Sequence, residues 1–228
     1  MDLADLVRAL DLSGLETPDD LTLHVDPVAP NVRRVLMFAR EKEIDLRTRM
    51  IEPKVDGVSD ARITALNPLA QIPVLESSEG WAISESMAIC RYLDERFDST
   101  PALFGEGLEA RARIHMWSRR AELWLFTPAV DYGHHKHPLF AAGGFDQSAR
   151  VASDNLERIE RAFNLFDDAL GDTRCLAGDD FSAADVVAYS GLCLARVWRV
   201  EAPESLDHLK RWEQEVAARP SAALARYE

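Results

Sequence analysis

Gln71-Ile72-Pro73-Val74-Leu75, followed ten residues later by Glu85-Ser86 at the start of an apolar-periodic stretch, decides how this chain is read. The first piece has the composition of a buried strand with a proline at its head. A proline there removes a ladder donor, and an X-Pro bond is the one peptide bond that adopts the cis form at little cost. Such a bond turns backbone groups outward, away from the ladder. The second piece sets an acidic and a hydroxyl side chain on a helix N-terminus, where backbone N–H groups are free to hold a carboxylate. Pro73 alone reads as an ordinary edge-strand proline, and Glu85-Ser86 alone as helix caps. Together they predict a small site that grips an extended peptide by its backbone and its acid end.

Working outward, Leu21, Leu23 and Val25 alternate as a strand. Asp26-Pro27-Val28-Ala29-Pro30 forms a loop whose last proline suits the first turn of a helix, since its missing N–H costs nothing there. That helix runs to about Lys42 with Val32, Val35, Leu36 and Ala39 inward, and Arg33 and Arg34 are expected in solvent. Residues 46–51 and 72–75 read as the second and third strands, and 80–83 as the fourth after a Ser-Ser-Glu-Gly turn. Pro53 to Leu66 is polar and irregular, with room for one short helix. Residues 86–97 form a helix with Ile89, Leu93 and Phe97 on one side. The order β-α-β-(α)-β-β-α predicts a thioredoxin-like α/β domain over 21–98.

Beyond the Asp-Ser-Thr-Pro linker no strand pattern appears, so 106–228 is expected to be all-α. Residues 108–132 read as one long helical stretch that Pro128 kinks or breaks. Residues 133–144, rich in His and Gly, read as loop. Phe181-Ser182-Ala183-Ala184-Asp185-Val186 carries a capping box, a folding signal without chemistry. Residues 1–20 stand apart, with Leu3, Leu6, Val7 and Leu10 on one face of a short helix patching a nearby surface.

Composition narrows the classes of function. Lys plus Arg at 26 against Asp plus Glu at 39 gives a net charge of −13, which argues against nucleic acid and anionic membrane as partners. No apolar run is long enough to span a bilayer, and the acidic start is unlike a signal peptide, so a cytoplasmic protein is expected. Cys90, Cys175 and Cys193 are odd in number and widely spaced, which fits neither a disulfide framework nor zinc.

The segments Ala29-Pro-Asn-Val-Arg-Arg-Val35, Asn67-Pro-Leu-Ala-Gln-Ile-Pro-Val-Leu75, Ile83-Ser-Glu-Ser-Met-Ala-Ile-Cys-Arg-Tyr-Leu93 and Leu176-Ala-Gly-Asp-Asp-Phe-Ser-Ala-Ala-Asp-Val186 occur in this order at family spacing. The chain after residue 20 resembles the glutathione S-transferases. Its 120–138 stretch is similar to a bacterial and fungal branch that lacks the usual catalytic Ser, Tyr or Cys. The resemblance implies a glutathione transferase of detoxification type, a homodimer with its third and fourth helices at the interface. Glutathione is then the co-substrate, with no metal, and the second partner is a small hydrophobic electrophile. It implies that Ile72, beside Gln71 and Pro73, pairs with the cysteinyl backbone, that Glu85 and Ser86 hold the γ-glutamyl amine and carboxylate, and that Lys54 meets the glycyl carboxylate. Ala29-Pro30-Asn31 would face the sulfur.

Ala29 occupies the usual catalytic position and donates nothing. Three aids to the thiolate stay open: the helix N-terminus at Pro30-Asn31, the Asn31 amide, and His134 or His135 (with His137 and Tyr132) acting from the helical domain across the cleft between the domains. Trp117, Trp124, Phe126 and Trp198 are candidates for an apolar acceptor pocket, although large aromatics at helical spacing are mostly core. The rival reading is a non-catalytic glutathione-binding or stress-related protein of the same fold.

Overall fold

The computed structural model describes residues 15–51, 53–54, 57–58, 60–98 and 101–227. The helix expected around Leu3 to Leu10 lies outside these. The described chain divides into two units, one running through Ala102 and including Ala223–Arg226, the other covering Leu103–Ala222 with Tyr227.

The first unit holds β1 (Leu21–Val25), α1 (Pro30–Glu41), β2 (Arg47–Met50), a short hairpin of β3 (Pro53–Lys54) and β4 (Gly57–Val58), α2 (Ala61–Leu66), β5 (Val74–Ser77), β6 (Ala82–Ser84) and α3 (Ser86–Arg96). Its four-stranded sheet runs β2-β1-β5-β6, with β1 parallel to β2 and antiparallel to β5, and β5 antiparallel to β6. This mixed sheet with its helices is the thioredoxin-like arrangement that the sequence predicts. Strand alternation assigns the faces. Leu23 pairs with Leu75 and both are fully buried, while Val74 points the other way into a cluster with Ile51 and Ile63 of α2, joined by Leu66, Ile72 and Ala82. The ends of α1 and α3 are tied by a buried ion pair, Lys42 Nζ to Asp94 Oδ1 at 3.1 Å, and the same ammonium donates to the Pro101 carbonyl.

Arg33 and Arg34 are not in solvent. Both are buried, because each guanidinium finds oxygen partners the helical pattern cannot show. Arg33 donates to the Pro27 carbonyl at 2.8 Å, and to those of Leu224 and Arg226 nearly two hundred residues on.

The second unit is helical: α4 (Gly107–Ala121), a π-helical turn (Glu122–Phe126), α5 (Thr127–Lys136), α6 (Pro138–Ala142), α7 (Ala149–Leu170), α8 (Ala183–Val197) and α9 (Asp207–Ala217). Pro128 does not end the helix. Its missing N–H is absorbed by the π turn just before it, where the Thr127 amide reaches back to the Glu122 carbonyl. The expected loop over 133–144 is also corrected, since α5 continues to Lys136 and α6 follows. Gly133 is there for close approach: a Cβ would fall 2.3 Å from the Trp198 ring. Gly191 of α8 does the same for the π turn, where a Cβ would meet Leu125 at 2.8 Å.

α8 is buried from Ala183 to Ala195 and forms the axis of this unit. Its N-terminal capping box is present, and Asp185 does more than cap. Its fully buried carboxylate accepts from Ser182 N and Oγ at 2.9 Å each, from Leu176 N at 3.0 Å and from Trp212 Nε1 at 2.9 Å. One side chain thereby ties α8, the preceding loop and α9. Cys90, Cys175 and Cys193 are all buried and unbonded to one another, and burial, helped by the Asp185 charge, pushes the Cys175 thiol up to about 12.

Candidate glutathione site

The first unit brings two of its helix N-termini into register with the head of β5. The β1–α1 loop is set by Asp26, whose Oδ1 accepts from Val28 N at 3.1 Å and whose carbonyl accepts from Ala29 N at 3.0 Å. Burial holds the Asp26 carboxyl above the usual carboxylate range. Ala29 then enters α1 in extended conformation, with Pro30 in the first turn and no side chain capping the helix. Pro30 has no N–H and the Val32 and Arg33 amides bond the Ala29 carbonyl, so the Asn31 N–H is the amide that this terminus leaves without a side-chain cap.

The loop before β5 is built by Asn67, a buried side chain whose role the sequence pattern does not show. Its Nδ2 donates to the Gln71 carbonyl at 2.9 Å and its Oδ1 accepts from Leu69 N at 3.1 Å, while Ala70 takes a positive φ of 51°. The Asn67-Pro68 dipeptide was the available signal, because Asn in turns bonds its own backbone two residues on. Ile72–Pro73 is cis. The ladder between β5 and β6 begins at Val74–Ser84, so Ile72 and Pro73 lie beyond it at one end of β5 and Glu85 directly follows the end of β6.

Glu85 adopts φ 69°, ψ 114°, a conformation costing a non-glycine residue roughly 1–3 kcal/mol. Its exposed side chain makes no capping bond to α3. A plain helix cap does not account for it.

Ser86, the first residue of α3, is buried, and its Oγ accepts from Arg34 Nη2 at 2.6 Å. The same Nη2 donates to Asn31 Oδ1, and Ser86 Oγ lies 3.3 Å from that oxygen. Asn31 and Ser86, 55 residues apart in sequence, thus meet around one guanidinium that is expected from sequence to be in solvent. Gln71, Ile72 and Pro73 stand at the adjoining strand end. Lys54 lies in β3, on the hairpin after β2.

His134 and His135 belong to the other unit, on the last turn of α5. Their surroundings differ. The His134 ring packs against Phe140 at 4.4 Å and Phe145 at 5.5 Å, and burial lowers its pKa, against the pull of Asp131. Burial thus favours its neutral form. His135 Nδ1 accepts from Ser148 N at 3.1 Å, which commits that nitrogen to the start of α7. His137 Nδ1 caps α6 through Leu139 N at 3.3 Å. Among the described residues no group of three His, Cys, Asp or Glu is placed to hold a metal ion.

Of the aromatic candidates, Trp117 and Phe126 are core. Trp117 packs on Phe166 with Arg120 above its ring. Trp198 is half-buried over Gly133, and Trp124 is 39% exposed with Arg158 alongside. No helix among the described residues is long and apolar enough to cross a membrane.

The sequence matches the family description "Glutathione S-transferase, N-terminal domain" over residues 28–96 and "Glutathione S-transferase, C-terminal domain" over 125–220. It is 34% identical over 211 residues to Glutathione S-transferase 2 of Saccharomyces cerevisiae, covering 91% of this chain and 90% of that protein. Among solved structures it is similar to a glutathione S-transferase domain-containing protein of Marinobacter aquaeolei, with a TM-score of 0.83 and 32% identity over 88% of this chain and 99% of that one. It is similar also to Gtt2 of Saccharomyces cerevisiae, with a TM-score of 0.81 and 29% identity over 88% and 98%. The chain belongs to the glutathione S-transferase family.

Proposed function

We propose that the protein is a glutathione transferase that lowers the thiol pKa of bound glutathione for attack on a small, hydrophobic electrophile. The observation that carries this reading is the meeting of Asn31 and Ser86 around Arg34, next to the uncapped start of α1 and the Ile72–Pro73 turn. The γ-glutamyl carboxylate sits at the α3 N-terminus on Ser86, its amine on Glu85, and the cysteinyl backbone pairs with Ile72 between Gln71 and Pro73. Lys54 takes the glycyl carboxylate. Pro30 and Asn31 face the sulfur.

Magnitudes decide how the thiolate is held. A free thiol titrates near 8.5, so ionisation at neutral pH needs about 2 units of help, roughly 3 kcal/mol. The α1 terminus supplies about 0.3–2 kcal/mol, which falls short. An Asn31 N–H donated to the anion adds about 1.5–3 kcal/mol, the range for bonds to charged groups. The two together suffice without a hydroxyl at Ala29. His134, whose neutral form burial favours, is the imidazole assigned to receive the thiol proton. His135 has one nitrogen committed to Ser148 and presents the other as an N–H, so it orients a water. The thiolate sulfur then bonds to the electrophilic carbon as the leaving group departs with its electron pair. The working unit is a homodimer with α3 and α4 at its interface.

The test is retention on immobilised glutathione followed by conjugation with a generic aryl halide. Retention with turnover supports the transferase. Retention without turnover favours a binding protein, and no retention removes both.

A further inference from the structure

We infer that Arg34 is a positioning residue that sets the hydrogen-bond polarity of the glutathione site, turning Asn31 and Ser86 into a pair of outward donors. The inference rests on the glutathione reading above and adds a residue to it.

A guanidinium has donors and no acceptor. Both oxygens it meets are therefore fixed as acceptors, which removes the usual ambiguity of an amide orientation. Asn31 must present Oδ1 to Arg34. Its Nδ2, with two N–H groups, lies on the opposite side of the amide and donates to nothing among the described residues. Ser86 Oγ, already accepting at 2.6 Å, keeps its own proton. Among the described residues the acceptor beside that proton is Asn31 Oδ1 at 3.3 Å, beyond the ordinary range of about 2.5–3.0 Å for an O–H···O bond. The hydroxyl is thus held in place by a strong contact and its hydrogen only weakly, which leaves it available to an anion. Accepting from a cation also polarises the O–H and makes it a better donor.

The arrangement follows from local geometry. Asn31 and Arg34 are i and i+3 on α1 and so share a face. Ser86 is brought to them by the packing of α3 against α1. The guanidinium is buried at 2% exposure, where its contacts are neither screened nor exchanged for water. One buried cation therefore orders two groups meant for two parts of the tripeptide, the carboxylate at Ser86 and the sulfur at Asn31. It need not touch either.

Three variants test this: Arg34→Met, Arg34→Lys and Asn31→Asp. The readouts are the calorimetric Kd for glutathione and the pKa of the bound thiol, followed by the ultraviolet absorbance of the thiolate. In Arg34→Met the Kd is expected to rise about 10- to 100-fold, the loss of one to two charge-assisted contacts, and the thiol pKa to rise. Arg34→Lys, which can meet one oxygen well but lacks the fork, is expected to recover part of the affinity and less of the thiol shift. Asn31→Asp keeps an acceptor for Arg34, so it folds, but it has no outward N–H, so the thiol pKa must rise. If Arg34→Met fails to fold, Asn31→Asp decides. An unchanged thiol pKa in Asn31→Asp, or an unchanged Kd in folded Arg34→Met, overturns the inference. Failure of the unaltered protein to bind glutathione would instead remove the functional reading on which it rests.

Discussion

Ser86→Ala removes one oxygen with two separable consequences. In the free protein Arg34 loses the acceptor at 2.6 Å and keeps Asn31 Oδ1. A bond from a charged donor contributes about 1.5–3 kcal/mol to stability. In a domain of this size each kcal/mol moves the melting temperature about 2–4 °C, so a fall of roughly 3–12 °C is expected. In the proposed complex, the hydroxyl assigned to the glutathione carboxylate is lost as well. That is a second contact of about 1.5–3 kcal/mol, or a Kd raised roughly 10- to 150-fold. The proposed binding mode puts the sulfur toward Asn31 rather than Ser86, so KM for glutathione should rise by a similar factor while kcat at saturation stays within about threefold. Calorimetry, thermal denaturation and steady-state rates on the same preparation separate the effects. A lower melting temperature with Kd unchanged within twofold would mean that Ser86 serves the fold alone, and the argument for a carboxylate seat at α3 would fail.

Asp185→Asn leaves at least one of the four donors facing an amide NH2 whichever way the side chain turns, two if the NH2 faces Leu176 N and Trp212 Nε1, so it should destabilise the protein by about 1–3 kcal/mol, read by denaturant titration; a loss below about 0.5 kcal/mol would contradict the role given to that carboxylate. Gly133→Ala drives a Cβ into the Trp198 ring, with overpacking expected to cost about 1–3 kcal/mol and to change Trp fluorescence. His134, lowered by burial from about 6.5, binds protons less readily folded than unfolded; its stabilising contribution is complete above that value and is lost as pH falls through the folded pKa. The melting temperature should therefore drop on acidification from pH 7.5 to 5.5, and by less in His134→Gln. An identical drop in both would take His134 out of that account.

Much of the first unit was legible because its signals are local. Strand alternation at Leu21, Leu23 and Val25, Pro30 opening α1, and Pro73 at the head of β5 all read directly, and the last is cis as anticipated. The capping box at Ser182 and Asp185 was equally plain. What escaped depends on distant partners or on residues with two meanings. Arg33 and Arg34 look like surface charges until carbonyls at 224 and 226 and a hydroxyl at 86 come to meet them. Gly133 and Pro138 look like loop punctuation, yet the glycine admits a tryptophan and the proline opens α6 after His137. The β3–β4 hairpin has two residues per strand, too few to show a period.

The most direct measurement is calorimetric titration of the unaltered protein with glutathione and, in parallel, with cysteinylglycine, which lacks the γ-glutamyl group. The account predicts saturable heat with glutathione and binding at least 100-fold weaker without that group, the loss expected when about 3 kcal/mol of contacts at Glu85, Ser86 and the α3 terminus disappears. Equal affinities for the two peptides, or no heat with millimolar glutathione, would contradict it.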